Sequence, residues 1–278
     1  MSLDLSTLGY KTAPYEFKYD WKSVALYALG IGARREELDY LYEARGPKVY
    51  PTFAVVPTFT AVGELLSRTN ANLAMVVHGG QGIKLHRAIP PEGTLSTVGI
   101  IQGIYDLKKM AQVVIETKTT SNGEPLFDTS WSIIIRGAGD FGGSPPPKSE
   151  SHPIPDGKKA DWVEEAQTAP EQALLYRLSG DVNPLHADPD FASMVGFPQG
   201  PILHGLCTYG YVGRAIAKHA AGGDATRIKS FEAQFRKPVW PGEMIRTEGY
   251  DLGNGRVAVR AFAADRSDAV LSNCFAEL

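Results

Sequence analysis

The sequence predicts an α+β fold built from two halves of the same organisation. Runs of alternating apolar and polar residues flank Asn122-Gly123, a dipeptide typical of a tight hairpin between antiparallel strands. Apolar residues between positions 205 and 220 recur at three- and four-residue intervals, which indicates an amphipathic helix. The order of elements also repeats, since Pro91-Glu92-Gly93 corresponds to Pro241-Gly242-Glu243, 150 positions later (241 − 91). A chain of 278 residues has room for two such halves.

Caps and residue spacing predict the elements of the first half. Asp20 is placed to cap a helix that ends at Gly30 or Gly32, and a second helix is expected over residues 61–68. The period-two pattern predicts strands at residues 75–78, 95–105, 112–119 and 127–135.

The composition changes between residues 137 and 169. This stretch is rich in Gly, Pro, Ser and charged residues and contains Pro145-Pro146-Pro147, which predicts a linker that crosses the molecule. The chain is therefore divided into an N-terminal half, 1–136, the linker, 137–169, and a C-terminal half, 170–278.

Three polar side chains that can move protons or orient water lie within six residues: Asp181, Asn183 and His186. Pro184 fixes its own φ near about −65° and favours extended backbone at the residue before it. The segment is therefore expected to form a stiff turn that holds the three side chains at one point.

Two helix starts are expected after this turn. Asp188-Pro189 has the residues of an N-cap and a first helical position, and the short helix that follows should stop near Gly196. Gly205 falls at the start of the amphipathic helix. An exposed helix start offers unpaired N–H groups and partial positive charge, which can stabilise negative charge on a carbonyl oxygen.

Two long motifs carry a family resemblance. They read Y-R-L-S-G-D-V-N-P-L-H-A-D-P-D-F-A-S at 176–193 and P-I-L-H-G-L-C-T at 201–208, and shorter pieces are V-H-G-G-Q at 77–81, F-G-G at 141–143 and K-P-V-W-P-G at 237–242. The chain closely resembles the hydratase 2 family, the MaoC-like (R)-specific 2-enoyl-CoA hydratases, including the hydratase part of peroxisomal multifunctional enzyme type 2. The resemblance covers nearly the whole chain and implies a double hot dog fold, in which each half wraps an antiparallel sheet around a central helix.

The resemblance also implies a reaction, the reversible addition of water to a trans-2-enoyl-CoA to give a (3R)-3-hydroxyacyl-CoA in fatty acid metabolism. Asp181 is expected to be the main base and His186 its proton-transfer partner, and which of them protonates C2 stays open. Asn183 would orient water or the acyl group, and the N–H of Gly205 would polarise the thioester carbonyl. No cofactor is expected besides the CoA thioester substrate, and no dinucleotide or phosphate-binding glycine motif is found.

Binding residues follow from the same resemblance. His78 and Gly79 should line the substrate pocket, and Phe235 should flank it. A lysine of the Asp106-Leu107-Lys108-Lys109 turn, Lys108 or Lys109, should approach the CoA. The sequence departs from the usual H-G-E-Q of the family, since it reads H-G-G-Q.

The repeat indicates that the two halves have different functional roles. At an offset of 150, the positions of the polar triplet become Ile31, Ala33 and Glu36. Chemistry is therefore expected in the C-terminal half. The N-terminal half is free to shape a substrate channel, which needs apolar lining.

Composition excludes several classes of protein. A net charge of −3 without a basic cluster argues against a nucleic-acid partner, and no apolar run approaches the roughly 20 residues that span a membrane. Two distant cysteines do not indicate a disulfide framework. No metal is expected, because Asp188 is better explained as a cap and no third ligand lies at a recognisable spacing from His186. His204 is interpreted as a structural residue.

Assembly and compartment rest on weaker signals. A homodimer is implied by the resemblance alone. The N-terminal residues lack a signal-peptide pattern and the C-terminal residues, F-A-E-L, are not a peroxisomal address of the S-K-L type. A cytoplasmic location is therefore expected, with the peroxisome as the alternative because related enzymes occur there.

Three other functions fit the same fold. An acyl-CoA thioesterase would direct water at the thioester carbonyl, although the complete polar triplet argues against it. A 3-hydroxyacyl-CoA dehydratase would run the reverse reaction on a specialised acyl group. A structural or acyl-binding subunit would have lost the polar groups from both halves, and only one half lacks them.

Overall fold

The structure, a computed structural model, describes residues 3–148, 150–263 and 266–278. Its strands are β1 (Tyr15–Tyr19), β2 (Val76–Leu85), β3 (Gly93–Asp106), β4 (Met110–Ser121), β5 (Glu124–Arg136), β6 (Trp162–Gln167), β7 (Ser230–Phe235), β8 (Met244–Gly253), β9 (Arg256–Ala263) and β10 (Ala269–Glu277). Its α-helices are α1 (Trp21–Gly30), α2 (Phe59–Arg68), α3 (Gln172–Tyr176), α4 (Pro189–Met194) and α5 (Gly205–His219).

The strands form one antiparallel sheet with internal symmetry. Its order is β1-β3-β4-β5-β2-β7-β10-β9-β8-β6, so each half has the same strand order and the halves join through the β2–β7 pair. Helix α2 in the first half and α5 in the second precede β2 and β7 in the chain. This is the double hot dog arrangement, and the predicted repeat is confirmed.

Local sequence signals explain where these elements begin and turn. The side chain of Asp20 accepts hydrogen bonds from the N–H groups of Lys22 and Ser23, so it caps α1 as predicted. Asn122 has a φ of 55° and Gly123 of 79°, the left-handed values that a two-residue hairpin needs. The predicted hairpin between β4 and β5 is therefore confirmed.

The interval predicted as a linker, 137–169, contains β6. This strand pairs with β8 at one end of the sheet, as β1 pairs with β3 at the other. The strand could not be recognised from its charged sequence, W-V-E-E-A-Q, because an edge strand carries polar residues on its exposed face. Before β6, the chain crosses the sheet, where His152 stacks on Phe275 of β10 at 3.5 Å.

Helix α5 ties the two halves together. Its residues are mostly buried, and Gly210 and Gly213 leave room for Ile31 and Thr52 of the first half. The Sγ of Cys207 donates to the carbonyl of Gly30 at 3.3 Å. The interior face of α5 therefore packs on the other half of the chain. Among the described residues, no helix is long and apolar enough to cross a membrane.

Candidate active site

The loop between α3 and α4 is a stiff turn, as its sequence predicts. The Oδ1 of Asp181 accepts from the N–H of Asn183 at 3.3 Å, and the Oδ1 of Asn183 accepts from the N–H of Leu185 at 3.0 Å. The backbone at Asn183 is extended, with a φ of −53° and a ψ of 127°, and Pro184 begins a single 3-10 turn. Arg177 braces the loop by donating to the carbonyl of Val182 at 3.2 Å.

Two histidines and one carboxylate meet beside this turn. A ring nitrogen of His186, a ring nitrogen of His204 and a carboxylate oxygen of Asp181 lie within 4.8 Å of one another. The two imidazole rings stack with centroids 3.7 Å apart. Groups at this separation can hydrogen-bond to one water molecule between them.

Hydrogen bonding fixes which nitrogen of His186 is free. Its Nδ1 lies 2.8 Å from the carbonyl of Ile202, and because a carbonyl only accepts, Nδ1 carries the proton when the ring is neutral. Burial lowers the pKa of His186, partly opposed by the charge of Asp181. The neutral ring therefore presents an unprotonated Nε2, which can accept a proton.

His204 contacts both Asp181 and His186. Its Nε2 lies 3.0 Å from the main-chain carbonyl of Asp181, so Nε2–H donates, and its ring is only 1 % exposed. Burial lowers the pKa of His204 to about 2, with His186 adding to the shift. This ring is therefore neutral at all ordinary pH values.

Gly205 lies next to this group, at the first position of α5. The side chain of His204, the N-cap, makes no capping bond, and among the described residues the N–H of Gly205 has no hydrogen-bond partner. A Cβ at Gly205 would lie 3.1 Å from the ring of Phe235. A glycine therefore keeps an open helix start beside an aromatic ring.

An aromatic wall of the first half continues from Phe235. We use the name aromatic wall for Phe59, His78 and Trp131. The ring of His78 lies 4.7 Å from that of Phe235 and stacks on that of Trp131 at 5.1 Å. The ring of Phe59 lies 5.5 Å from that of Trp131. A Cβ at Gly180 would lie 3.8 Å from Phe59, so the wall returns to the residue before Asp181. The aromatic wall and the polar group therefore border the same region.

His78 is the polar member of this wall. Burial lowers its pKa to about 4, and its Nε2 is buried without a hydrogen-bond partner. Gly79 forms a β-bulge against β5, since His78 pairs with Ile133 and Gly80 with Ser132. A Cβ at Gly79 would lie 2.7 Å from Ile134, so packing on the sheet already requires this glycine.

Lys108 is the predicted site residue that the structure leaves apart from the others. It is exposed in the turn between β3 and β4 with a φ of 67°, and its side chain makes no hydrogen bond or ion pair in the described part of the chain. The strand register puts this turn at the same end of the sheet as His78, three strands away. Three strand spacings of about 4.8 Å put the turn roughly 14 Å from His78 across the sheet.

Residue spacing in the sequence did not identify His204 as the third member of the group that it forms with Asp181 and His186. Asp188 uses its carboxylate to cap α4, as predicted, accepting from the N–H groups of Asp190 and Phe191. His204 instead brings a second imidazole to Asp181 and His186, a donor set that also occurs at metal sites. The sequence signal for it was the position of His204 at the N-cap of a helix whose N-terminus was already assigned to the site.

A cavity of about 470 Å³ reaches this group. His186 is the member of the polar triplet that lines it, together with Leu174 of α3, Pro201 and Trp240. The motif K-P-V-W-P-G therefore contributes a wall of the cavity. A small organic molecule can approach His186 from this side.

Comparison with known proteins identifies the two halves separately. Residues 17–137 match the MFE-2 hydratase 2 N-terminal domain, and residues 153–267 match the MaoC like domain. The chain is 38% identical to 3-hydroxyacyl-thioester dehydratase Y of Mycobacterium tuberculosis, over 97% of this chain and 94% of that protein. It is 36% identical to the peroxisomal enoyl-CoA hydratase 2 of Arabidopsis thaliana, over 95% and 92%.

A solved structure agrees with these matches. The crystal structure of a MaoC-like dehydratase from Phytophthora capsici has a TM-score of 0.89 and 30% identity, and covers 99% of this chain and 97% of that one. The fold and the matches define a hydro-lyase that acts on acyl thioesters. The chain belongs to the hydratase 2 family of MaoC-like enzymes.

Proposed function

We propose that this enzyme is an (R)-specific 2-enoyl-CoA hydratase of fatty acid metabolism, which adds water reversibly to trans-2-enoyl-CoA and forms (3R)-3-hydroxyacyl-CoA. The observation that carries the proposal is the meeting of Asp181 and His186 within 4.8 Å, beside the free N–H of Gly205. These groups match the three demands of the reaction, which are activation of water, delivery of a proton and stabilisation of an enolate-like oxygen.

In the hydration direction, one water molecule is held between the carboxylate of Asp181 and the Nε2 of His186. Its oxygen bonds to C3 while one of its protons passes to the site, with Asp181 as the main base. The electron pair of the C2–C3 double bond moves toward C1, and C2 then takes up a proton from the same two groups. The product gains one water in total, and a positioned acid or base of this kind typically contributes about 10²–10⁴ in rate.

The thioester oxygen gains negative charge as C3 is attacked. The N–H of Gly205 at the start of α5 donates to this oxygen, and the dipole of the fifteen-residue helix favours the charge. Asn183 has its Oδ1 occupied by the N–H of Leu185, so its remaining role is to donate from its amide nitrogen to water or to the acyl group.

The first half receives the acyl chain along the aromatic wall, where Phe59 offers partly exposed apolar surface near Phe235 and the buried ring of Trp131 packs behind it. Lys108 meets the charged end of CoA, because an exposed lysine at the same end of the sheet can pair with phosphate.

We also propose that the enzyme is a homodimer and that it is located in the cytoplasm. Size-exclusion chromatography tests the first proposal, and imaging of a tagged chain tests the second.

Dehydration is the second candidate for the physiological direction. The Mycobacterium tuberculosis relative that carries this activity in its name is 38% identical to the chain. The same groups serve both directions, because the reverse reaction passes through the same transition state.

A two-signal assay tests the proposal. Purified enzyme is given crotonyl-CoA or a medium-chain trans-2-enoyl-CoA, and the enoyl absorbance and free CoA thiol are followed separately. We expect the enoyl signal to fall without thiol release, and the product to have the R configuration at C3. Thiol release would instead identify a thioesterase, and an S product would contradict the stereochemical assignment.

A further inference from the structure

His204 contacts two parts of the site at once. Its Nε2–H donates to the main-chain carbonyl of Asp181 at 3.0 Å, and its ring stacks on that of His186 at 3.7 Å. On its other side, the ring of Tyr176 lies at 4.9 Å. As the N-cap of α5, His204 also precedes Gly205, so it is joined by a contact or a peptide bond to each proposed catalytic group except Asn183.

The protonation state of His204 suits a fixed hydrogen-bond donor. A ring with a pKa of about 2 stays neutral, and its Nε2–H donor does not depend on pH above that value. Its Nδ1 is buried and has no hydrogen-bond partner among the described residues. A buried polar atom without a partner costs stability, so the ring is retained for something other than packing.

We infer that His204 is a positioning residue of the hydratase reaction, which holds the carboxylate of Asp181 and the ring of His186 in the geometry for sharing one water. It acts through these two groups and does not touch the substrate. The inference rests on the proposed function, because the positioned groups are those assigned to the chemistry.

Two physical consequences follow for His186. The stacked ring of His204 covers one face of His186, and burial as a whole is the main cause of the lowered pKa of His186. The groups that face His186 are the carboxylate of Asp181, which raises its pKa, the guanidinium of Arg177, which lowers it, and the neutral His204. The Nε2–H of His204 holds Asp181 beside His186, so loss of this donor weakens the influence of the Asp181 charge, which raises the pKa of His186, and moves that pKa downward.

Three substitutions separate a positioning role from packing. His204→Gln keeps an amide N–H near the position of Nε2, His204→Leu fills similar space without a donor, and His204→Asn carries a donor too short to reach the Asp181 carbonyl. His152→Gln is the matched control, because His152 also stacks on an aromatic ring, at 3.5 Å, but on the outer face of the sheet. Each variant is compared with wild type by kcat, KM, the pH profile of kcat/KM and thermal melting.

We expect His204→Leu and His204→Asn to lower kcat by about 10²-fold with little change in KM, since a small displacement of reacting groups can cost that much. The acid limb of the pH profile should move to lower pH in His204→Leu, because a base with a lowered pKa stays unprotonated to a lower pH. His204→Gln should recover most of kcat and keep the wild-type acid limb, and His152→Gln should match wild type.

A wild-type kcat and acid limb in folded His204→Leu would overturn the inference, and so would a His204→Gln variant as slow as His204→Leu. Imidazole ¹⁵N NMR gives a readout that needs no substrate. His186 should hold one Nδ1–H tautomer in wild type and in His204→Gln, and should lose it or titrate at a lower pH in His204→Leu. If wild type shows no hydratase activity, the proposed function fails, while the NMR comparison still decides the role of His204.

Discussion

Asn183, in the proposed catalytic loop, has a structural role in the backbone turn as well as its proposed role in the reaction. The sequence predicts the turn correctly, because Pro184 dictates the geometry before it, but it cannot reveal that the Oδ1 of Asn183 is occupied by the N–H of Leu185. His204 could not be assigned to the site from the sequence either. Its role depends on contacts with Asp181 and His186, which are 23 and 18 positions away in the chain and meet only in the fold.

The glycine at the start of α5 gives a prediction at this scale. Gly205→Val should lower kcat by about 10²-fold, because the side chain would push on the ring of Phe235 at 3.1 Å and obstruct the N–H that is proposed to bind the thioester oxygen. Turnover of trans-2-enoyl-CoA measures the effect.

Gly63→Ala is the control for that substitution. Gly63 is exposed in α2 and a Cβ there meets nothing within 4 Å, so alanine should stabilise the protein by about 0.5–1 kcal/mol and leave kcat unchanged. Retained activity in Gly205→Val would argue against the oxyanion role.

At the scale of elements, periodicity predicts β3, β4, β5 and the hairpin at Asn122-Gly123, and it fails for β6. Apolar alternation identifies β4 and β5 because one face of each is buried. Edge strand β6 carries two adjacent glutamates, and its pairing with β8 joins residues about 80 positions apart. No local pattern contains that information.

An ion pair links α5 to the first half. The Nε of Arg214 lies 2.8 Å from the carboxylate of Glu37, which also accepts from the hydroxyl of Tyr50 at 2.7 Å. Arg214→Met should destabilise the protein by about 3 kcal/mol, because the partly buried carboxylate of Glu37 loses its partner. Urea unfolding measures this loss, and Glu37→Gln in the same chain should restore part of it. Equal stability of wild type and Arg214→Met would contradict the prediction.

The same pair predicts a pH dependence of stability. Burial opposes the charge of Glu37, but hydrogen bonds from Arg214 and Tyr50 and the charge of Arg214 outweigh it, so its pKa lies below the ordinary value of 4.5. The stabilisation is therefore present above pH 4.5 and is lost as pH falls through the lower pKa of the folded state. Unfolding free energies of wild type and Glu37→Gln should converge below that range, and a constant difference would contradict it.

At the scale of the whole molecule, the repeat of 150 positions anticipates two like halves, while the pairing of β2 with β7 could not be read from either strand alone. The halves share one sheet and the buried face of α5, where Gly210 packs on Ile31. The first half has Ile31, Ala33 and Glu36 at the positions that correspond to the polar triplet. In the proposed mechanism, the triplet of the second half acts beside the aromatic wall of the first half.

A shared core predicts cooperative unfolding. Circular dichroism, tryptophan fluorescence and residual activity should lose signal at the same denaturant concentration, because neither half can keep its core without the other. Two separate transitions would show that the halves are independent domains.

The most direct measurement compares two carboxylates of the same loop. Asp181→Asn removes the proposed base, whereas Asp188→Asn keeps a residue that caps α4 well. With trans-2-enoyl-CoA as substrate and melting curves as the check of folding, Asp181→Asn should lose at least about 10² in kcat and Asp188→Asn should keep it. His186→Ala should behave like Asp181→Asn. Near-wild-type turnover in Asp181→Asn would contradict the assignment of the chemistry to this loop.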